Sequence, residues 1–288
     1  MNPGLLVSTT TLAAHLDDPE WIVADCRHDL ANPDAGRAAY GQAHIPGARF
    51  FHLDHDLSGP RTGTNGRHPL PDPAKFAATL EKAGIGPTSR VIAYDAQGGM
   101  NASRLWWLMR WIGHDRVSVL DGGWKAWTEE ARPVSALPPV IRSARLVPVL
   151  QPIAVPAPEI LASMGSVPLL DARTAERYRG NNETMDPVAG RIPGAMNRFF
   201  MHNLTDNGRF KAIDLLKREF TSVLGNTNPA DVVNYCGSGV SACHNILAME
   251  LAGLQGSRLY PGSWSEWCAD PARPIAQGEP AVGETGSR

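Results

Sequence analysis

Short apolar runs bounded by turn residues alternate along this chain with longer stretches of helical spacing. WIVAD, RVIAYD and RVSVLD read as strands in the first half; VPLLD, DVVNYC and SRLYP take the same places in the second. PDPAKFAATLEKAGI, ASRLWWLMRWIG and ACHNILAMELAGL have helical spacing, and the last two end at Gly113 and Gly253, as helices commonly do. Strands alternating with helices predict an α/β fold in which a mostly parallel sheet is covered on both faces. Ligands in such sheets bind beyond the carboxyl ends of the strands. The residues that follow VIAY and VVNY are therefore the first candidates for chemistry.

The alternation is written twice. Asp25-Cys26-Arg27 matches Asp171-Ala172-Arg173, and HIPGARFF matches RIPGAMNRFF. VIAYD matches VVNYC, DGGWKAW matches PGSWSEW, and Arg132-Pro133 matches Arg273-Pro274. The order is kept and the offsets run only from 140 to 147 residues, which predicts two copies of one domain. Between them lies a proline-rich stretch that reads as an extended linker. The boundaries expected are 1–137 for the first domain, 138–157 for the linker and 158–288 for the second. The segment IRSARLVPVL has the pattern of a short edge strand.

Composition narrows the function. Of 288 residues, 43% are hydrophobic and 19% charged, enough for ordinary cores and against a disordered chain. The net charge of −2, without a basic block, gives no support to a nucleic-acid or membrane partner. Cys26, Cys236, Cys243 and Cys268 are too few and scattered for a disulfide framework, and no Cys/His group has zinc-ligand spacing, so no metal is expected. The amino terminus lacks a signal-peptide pattern and no apolar run reaches membrane-spanning length. A reduced, cytoplasmic protein is the expectation.

The loop after VVNY reads Cys236-Gly237-Ser238-Gly239-Val240-Ser241-Ala242 and leads into a helix. Glycines let successive N–H groups turn inward, and those donors with the positive helix end favour an anion at the strand terminus. A thiolate so placed is a nucleophile for soft electrophiles or a carrier of sulfane sulfur. The alternative is that Cys236 is only a small buried apolar residue. A Cys-loop phosphatase would need Arg six residues on, where this chain has Ala242. In the first copy Asp95 takes the place of Cys236, and a carboxylate cannot carry sulfur.

These residues resemble the tandem rhodanese sulfurtransferases. Two repeats with HIPGA-type segments, DxR after the first strand, GSW near the end and a Cys loop in the second repeat carry the resemblance from Trp21 to Ile275. It implies two rhodanese-like domains, the first catalytically silent, and no cofactor. CGSGVSA is close to the CGSGVT pattern of the members that use 3-mercaptopyruvate, whereas thiosulfate-using members usually place basic residues directly after the Cys. The implied reaction moves sulfur from the donor to Cys236 as a persulfide, releases pyruvate, and passes the sulfur to a thiol, a reduced thioredoxin or cyanide. Thiosulfate:cyanide transfer is the alternative activity; a non-catalytic binding module would be expected to lack the Cys in both copies.

The resemblance also implies supporting residues. Arg177 matches an Arg that binds the donor carboxylate, and Gly237, Gly239, Val240, Ser241 and Ala242 would line the same site. A second family Arg falls at Asp186, so Arg179 is the expected substitute; if ERYRG is extended, Arg177 and Arg179 share one side. Ser238 matches the Ser of a proton relay whose other members would be His68 and Asp54. The alternatives are that Arg177 is a solvated surface charge, which the resemblance disfavours, and that His68 is a surface-loop residue. Asp171 and Arg173 recur in the silent copy as Asp25 and Arg27, which assigns them to architecture rather than catalysis.

Overall fold

The computed structural model describes residues 4–279 and divides them into two compact units. The first takes the chain up to Gly59, then Pro71–Gln151 and Leu204–Phe210. The second takes Pro60–Leu70, Pro152–Asn203 and the chain from Lys211 onward. Each unit thus includes a short segment encoded in the other half of the sequence.

The first unit runs β1 (Leu6–Val7), α1 (Thr9–Ala13), β2 (Trp21–Asp25), α2 (Ala35–Gln42), β3 (Arg49–Phe50), α3 (Pro73–Lys82), β4 (Arg90–Tyr94), α4 (Met100–Trp111), β5 (Val117–Leu120) and α5 (Gly123–Glu129). Its five strands are ordered β1-β5-β4-β2-β3 and every pairing is parallel. Strands buried along most of their length need helices on both faces, which explains runs such as Trp21–Asp25 with little alternation. Asp72 caps α3 by accepting the Lys75 N–H at 2.9 Å, with Pro73 in the first turn where a missing N–H costs nothing.

The second unit repeats the plan: α6 (Ala157–Ala162), β6 (Leu169–Asp171), α7 (Ala175–Arg179), β7 (Met196–Asn197), α8 (Ile213–Leu224), β8 (Val233–Tyr235), α9 (Ser241–Leu251), β9 (Arg258–Leu259) and α10 (Ser263–Trp267). The sheet order is β7-β6-β8-β9, again all parallel. Asp171 is in register with Tyr235, so the DxR segment and Cys236 leave adjacent strand ends side by side. Trp264 and Trp267 are fully buried in the core beneath them, as Trp127 is in the first unit.

The predicted strands and three predicted helices form. The expected edge strand in residues 141–150 does not: the Val149 and Gln151 N–H groups bond the Ile112 and Trp111 carbonyls at the end of α4, at 2.9 and 2.8 Å, so no sheet edge is available to them. Among the described residues no helix is long and apolar enough to cross a membrane.

Candidate active site

The DxR pairs are the frame of each loop. Arg173 binds Asp171 through Nε and Nη2 at 3.0 and 2.7 Å and gives Nη2 to the Gly190 carbonyl at 2.7 Å, with its guanidinium 4.9 Å from the Trp264 ring centre. Arg27 makes the same bonds to Asp25 and to the Ala43 carbonyl. The architectural role read from their repetition is what the geometry displays. Charge-assisted bonds inside a buried site hold the HIPG-type turn against the strand ends.

Cys236 follows β8, is 2% exposed, and its sulfur lies 3.1 Å from the Gly239 N–H. Gly239 has φ +76°, and a Cβ there would come within 2.3 Å of the Pro261 carbonyl oxygen, so the turn requires glycine. The backbone of the loop is gripped by α10: the Trp264 N–H binds the Cys236 carbonyl at 3.0 Å, and the Ser265 N–H binds that of Gly237 at 2.9 Å. Ser263 has φ +54°, an uncommon value for a residue with a side chain, and its hydroxyl accepts the Cys236 N–H at 3.1 Å while donating to the Tyr260 carbonyl. The left-handed strain, about 1–3 kcal/mol, is the cost of fixing the Cys236 backbone.

The other cysteines lack such surroundings. Burial, then the charge of Asp25, pushes the Cys26 thiol well up; burial, then Asp186, raises that of Cys268. Cys243 donates its S–H to the Gly239 carbonyl at 3.2 Å and serves the turn.

In the first unit Asp95 occupies the corresponding strand end and fills its own loop. One carboxylate oxygen accepts the N–H groups of Gln97 and Gly99 at 2.8 and 2.9 Å, and the other those of Asn101 and Ala102 at 2.7 and 2.9 Å. Burial pushes this carboxyl up, and the four donors pull it only partly back, leaving it raised. Asparagine would present an NH₂ group to one pair of N–H donors. Asp95→Asn should therefore destabilise the protein by about 1–3 kcal/mol in thermal or denaturant unfolding while leaving the chemistry at Cys236 intact.

The segment Pro60–Leu70 supplies residues to the Cys236 loop. His68 is buried, not a surface residue, and its Nδ1 lies 2.7 Å from Ser238 Oγ. Ser238 is itself buried two positions after Cys236. Asp54 belongs to the first unit, where its N–H donates to His52 Nδ1 at 3.1 Å and it gathers with His28 and His52. That group has metal-ligand residue types. With Nδ1 accepting, however, a neutral His52 carries its proton on Nε2 and offers no lone pair there.

Two guanidiniums meet over Gly237. A Cβ built on this residue would lie 2.7 Å from Arg67 Nη2 and 3.4 and 3.5 Å from the two terminal nitrogens of Arg177. Arg177 is held side-on by Glu183, with Nε and Nη2 donating at 3.0 and 2.9 Å, and Nη2 also reaches Asp186 at 3.2 Å. Arg67 Nη1 donates to the other Asp186 oxygen. Burial pushes Glu183 up, but the Met185 N–H and the Arg177 fork outweigh it and hold its carboxyl below the usual carboxylate range. Burial of Asp186 outweighs the pull of Arg67 and leaves its carboxyl raised.

Arg179 corrects the expectation of an extended ERYRG. This segment is α7, capped by Thr174 and closed by Gly180 at φ +82°, so residues two apart point about 200° away from each other. Arg179 pairs with Glu279 at 2.6 Å instead of joining Arg177. Arg67, Glu183 and Ser263 were not legible as site residues. The one available signal for Arg67 was an acid, Asp186, standing where the resemblance expects a base.

The rhodanese-like domain family matches residues 8–130 and again 157–270. A probable 3-mercaptopyruvate sulfurtransferase of Pseudomonas aeruginosa is 43% identical over 286 residues, covering 97% of this chain and 100% of its own. A putative thiosulfate sulfurtransferase, SseB of Mycobacterium tuberculosis, is 37% identical over 287 residues, covering 95% and 97%. Among solved structures, the rhodanese-fold 3-mercaptopyruvate sulfotransferase SseA from Escherichia coli superposes with a TM-score of 0.79 at 28% identity, covering 91% of this chain and 99% of that one. With two matched domains and near full-length relatives, the chain belongs to the rhodanese family of sulfurtransferases, in its two-domain form.

Proposed function

We propose that this enzyme takes sulfur from 3-mercaptopyruvate, holds it as a Cys236 persulfide and delivers it to a thiol acceptor, with pyruvate as the first product. The observation that carries the reading is a charge-free loop, Gly237 to Ala242, with the Arg177 guanidinium beside Gly237. The Cys236 thiolate attacks the donor sulfur; the sulfur–sulfur bond forms as the carbon–sulfur bond breaks. The electron pair goes to the pyruvate enolate, whose methylene carbon takes the proton that the donor thiol loses and becomes the methyl of pyruvate. Ser238 and His68, 2.7 Å apart, are suited to carry that proton, and Asp54 is the third member the resemblance assigns. The Gly239 N–H, 3.1 Å from the Cys236 sulfur, is suited to receive the persulfide anion. Asp95, already filling the equivalent loop, supports a silent first domain.

A small thiol or a reduced thioredoxin in the cytoplasm is the acceptor we favour. The second reading, thiosulfate as donor, is supported by the name of the mycobacterial relative. Charge speaks against it: Glu183 and Asp186 balance Arg67 and Arg177, leaving no net positive charge for a dianion. Each close cation forgone costs on the order of 1 kcal/mol or more in a partly dehydrated site, so a preference of about tenfold or greater is expected. The test compares kcat/KM for the two donors with one acceptor at one pH and ionic strength. Equal values, or a preference for thiosulfate, would overturn the assignment.

A further inference from the structure

We propose that Arg67, from the segment Pro60–Leu70, is the second cation that binds the donor carboxylate, and that Asp186 positions it. The inference rests on a donor that carries a carboxylate, as proposed above.

Four observations converge. Arg67 Nη2 is the nearest atom to the space a Gly237 side chain would fill, and Arg177 borders the same space from its other guanidinium nitrogens. Glu183 engages Nε and Nη2 of Arg177, and Asp186 engages Nη1 of Arg67, so Arg177 Nη1 and Arg67 Nη2 are the terminal donors left toward that space among the described residues. Arg67 Nε is buried and has no hydrogen-bond partner among the described residues. The backbone on which Arg67 sits is fixed at both ends: its N–H donates to Ser265 Oγ at 3.0 Å, and the next residue, His68, holds Ser238.

A carboxylate has two oxygens and accepts from several N–H groups at once. Placed over Gly237, it would take donors from two guanidiniums and leave the rest of the donor molecule one residue from the Cys236 sulfur. The Asp186 side chain is almost completely buried and is shared by both arginines. Its part is to set the two guanidiniums side by side, which like charges would otherwise resist.

The experiment measures KM and kcat of the full-length enzyme with 3-mercaptopyruvate and with mercaptoacetone, which keeps the thiol and ketone but lacks the carboxylate. Arg67→Met keeps much of the apolar stem. It should raise KM for 3-mercaptopyruvate about 10- to 100-fold with kcat within about twofold, because the contact is made equally before and during the reaction. Transfer from mercaptoacetone should stay within about twofold. Arg67→Lys, which keeps the charge without the fork, should fall between, and it stands in if the Met variant does not fold. Asp186→Asn should raise KM for 3-mercaptopyruvate by less than Arg67→Met, and the double variant should be no worse than Arg67→Met alone. An unchanged KM in Arg67→Met or Arg67→Lys, or equal losses with both donors, would overturn the role of Arg67. Failure of the donor assignment shows separately, as a wild-type enzyme that does not use 3-mercaptopyruvate; that outcome removes the carboxylate and overturns this inference with it.

Discussion

Cys236→Ser should lose sulfur transfer by a factor on the order of 10³ or more with every donor, the expected result of deleting a covalent nucleophile. No other thiol is placed to replace it. Cys26 and Cys268 have thiols raised by burial, and Cys243 is committed to the Gly239 carbonyl. Intact-mass analysis after incubation with donor should therefore show one added sulfur, about 32 Da, on the wild-type chain and none on the variant. The same adduct on Cys236→Ser would place the carrier elsewhere and remove the foundation of the mechanism. Because serine is close in size, and because α10 holds the loop by backbone bonds, the variant should melt close to the wild type.

Arg177→Ala is expected to lower kcat/KM for 3-mercaptopyruvate by about 1.5–3 kcal/mol, or roughly 10- to 150-fold. Two effects add. The donor loses a charge-assisted contact, and Glu183 loses the fork that holds it below the ordinary carboxylate range, leaving an under-compensated acid beside the loop. Arg177→Lys should recover only part of the loss, since an ammonium cannot satisfy Glu183 side-on and face the donor together. Steady-state kinetics at constant ionic strength are the check. A change of less than twofold in Arg177→Ala would remove Arg177 from the carboxylate site.

What was legible in the sequence is what repeats or has a period. The strands around VIAY and VVNY, the helices after them and the loop at Cys236 all follow from apolar spacing and from two copies read against each other. Arg179 was misplaced because α7 has five residues, too few for a helical period to declare itself. The pattern of residues 141–150 fits a strand, but a strand needs a neighbour, and local pattern does not say whether one is vacant. Arg67 lay beyond reach for a related reason: its partner, Asp186, is 119 residues away. Ser263 escaped because its left-handed backbone is a requirement of the site, not a preference of serine.

The interleaving of segments between units bears on how the polypeptide is made. The first unit is completed by Leu204–Phe210, where the Phe210 N–H binds Asp121 at 2.9 Å and Arg209 reaches the Asp121 carbonyl at 3.1 Å. A ribosome adding about 5–20 residues per second emits Gln151 several seconds before Phe210, so the nascent amino-terminal half waits in an unfinished state. During that interval the segment destined for the second unit, Pro60–Leu70, still lacks Ser238 and Ser265, the partners of His68 and of the Arg67 N–H. Splitting the gene between the repeats would leave each product without a piece encoded by the other. Such halves should need co-expression, or a chaperone's shelter, to recover a working enzyme.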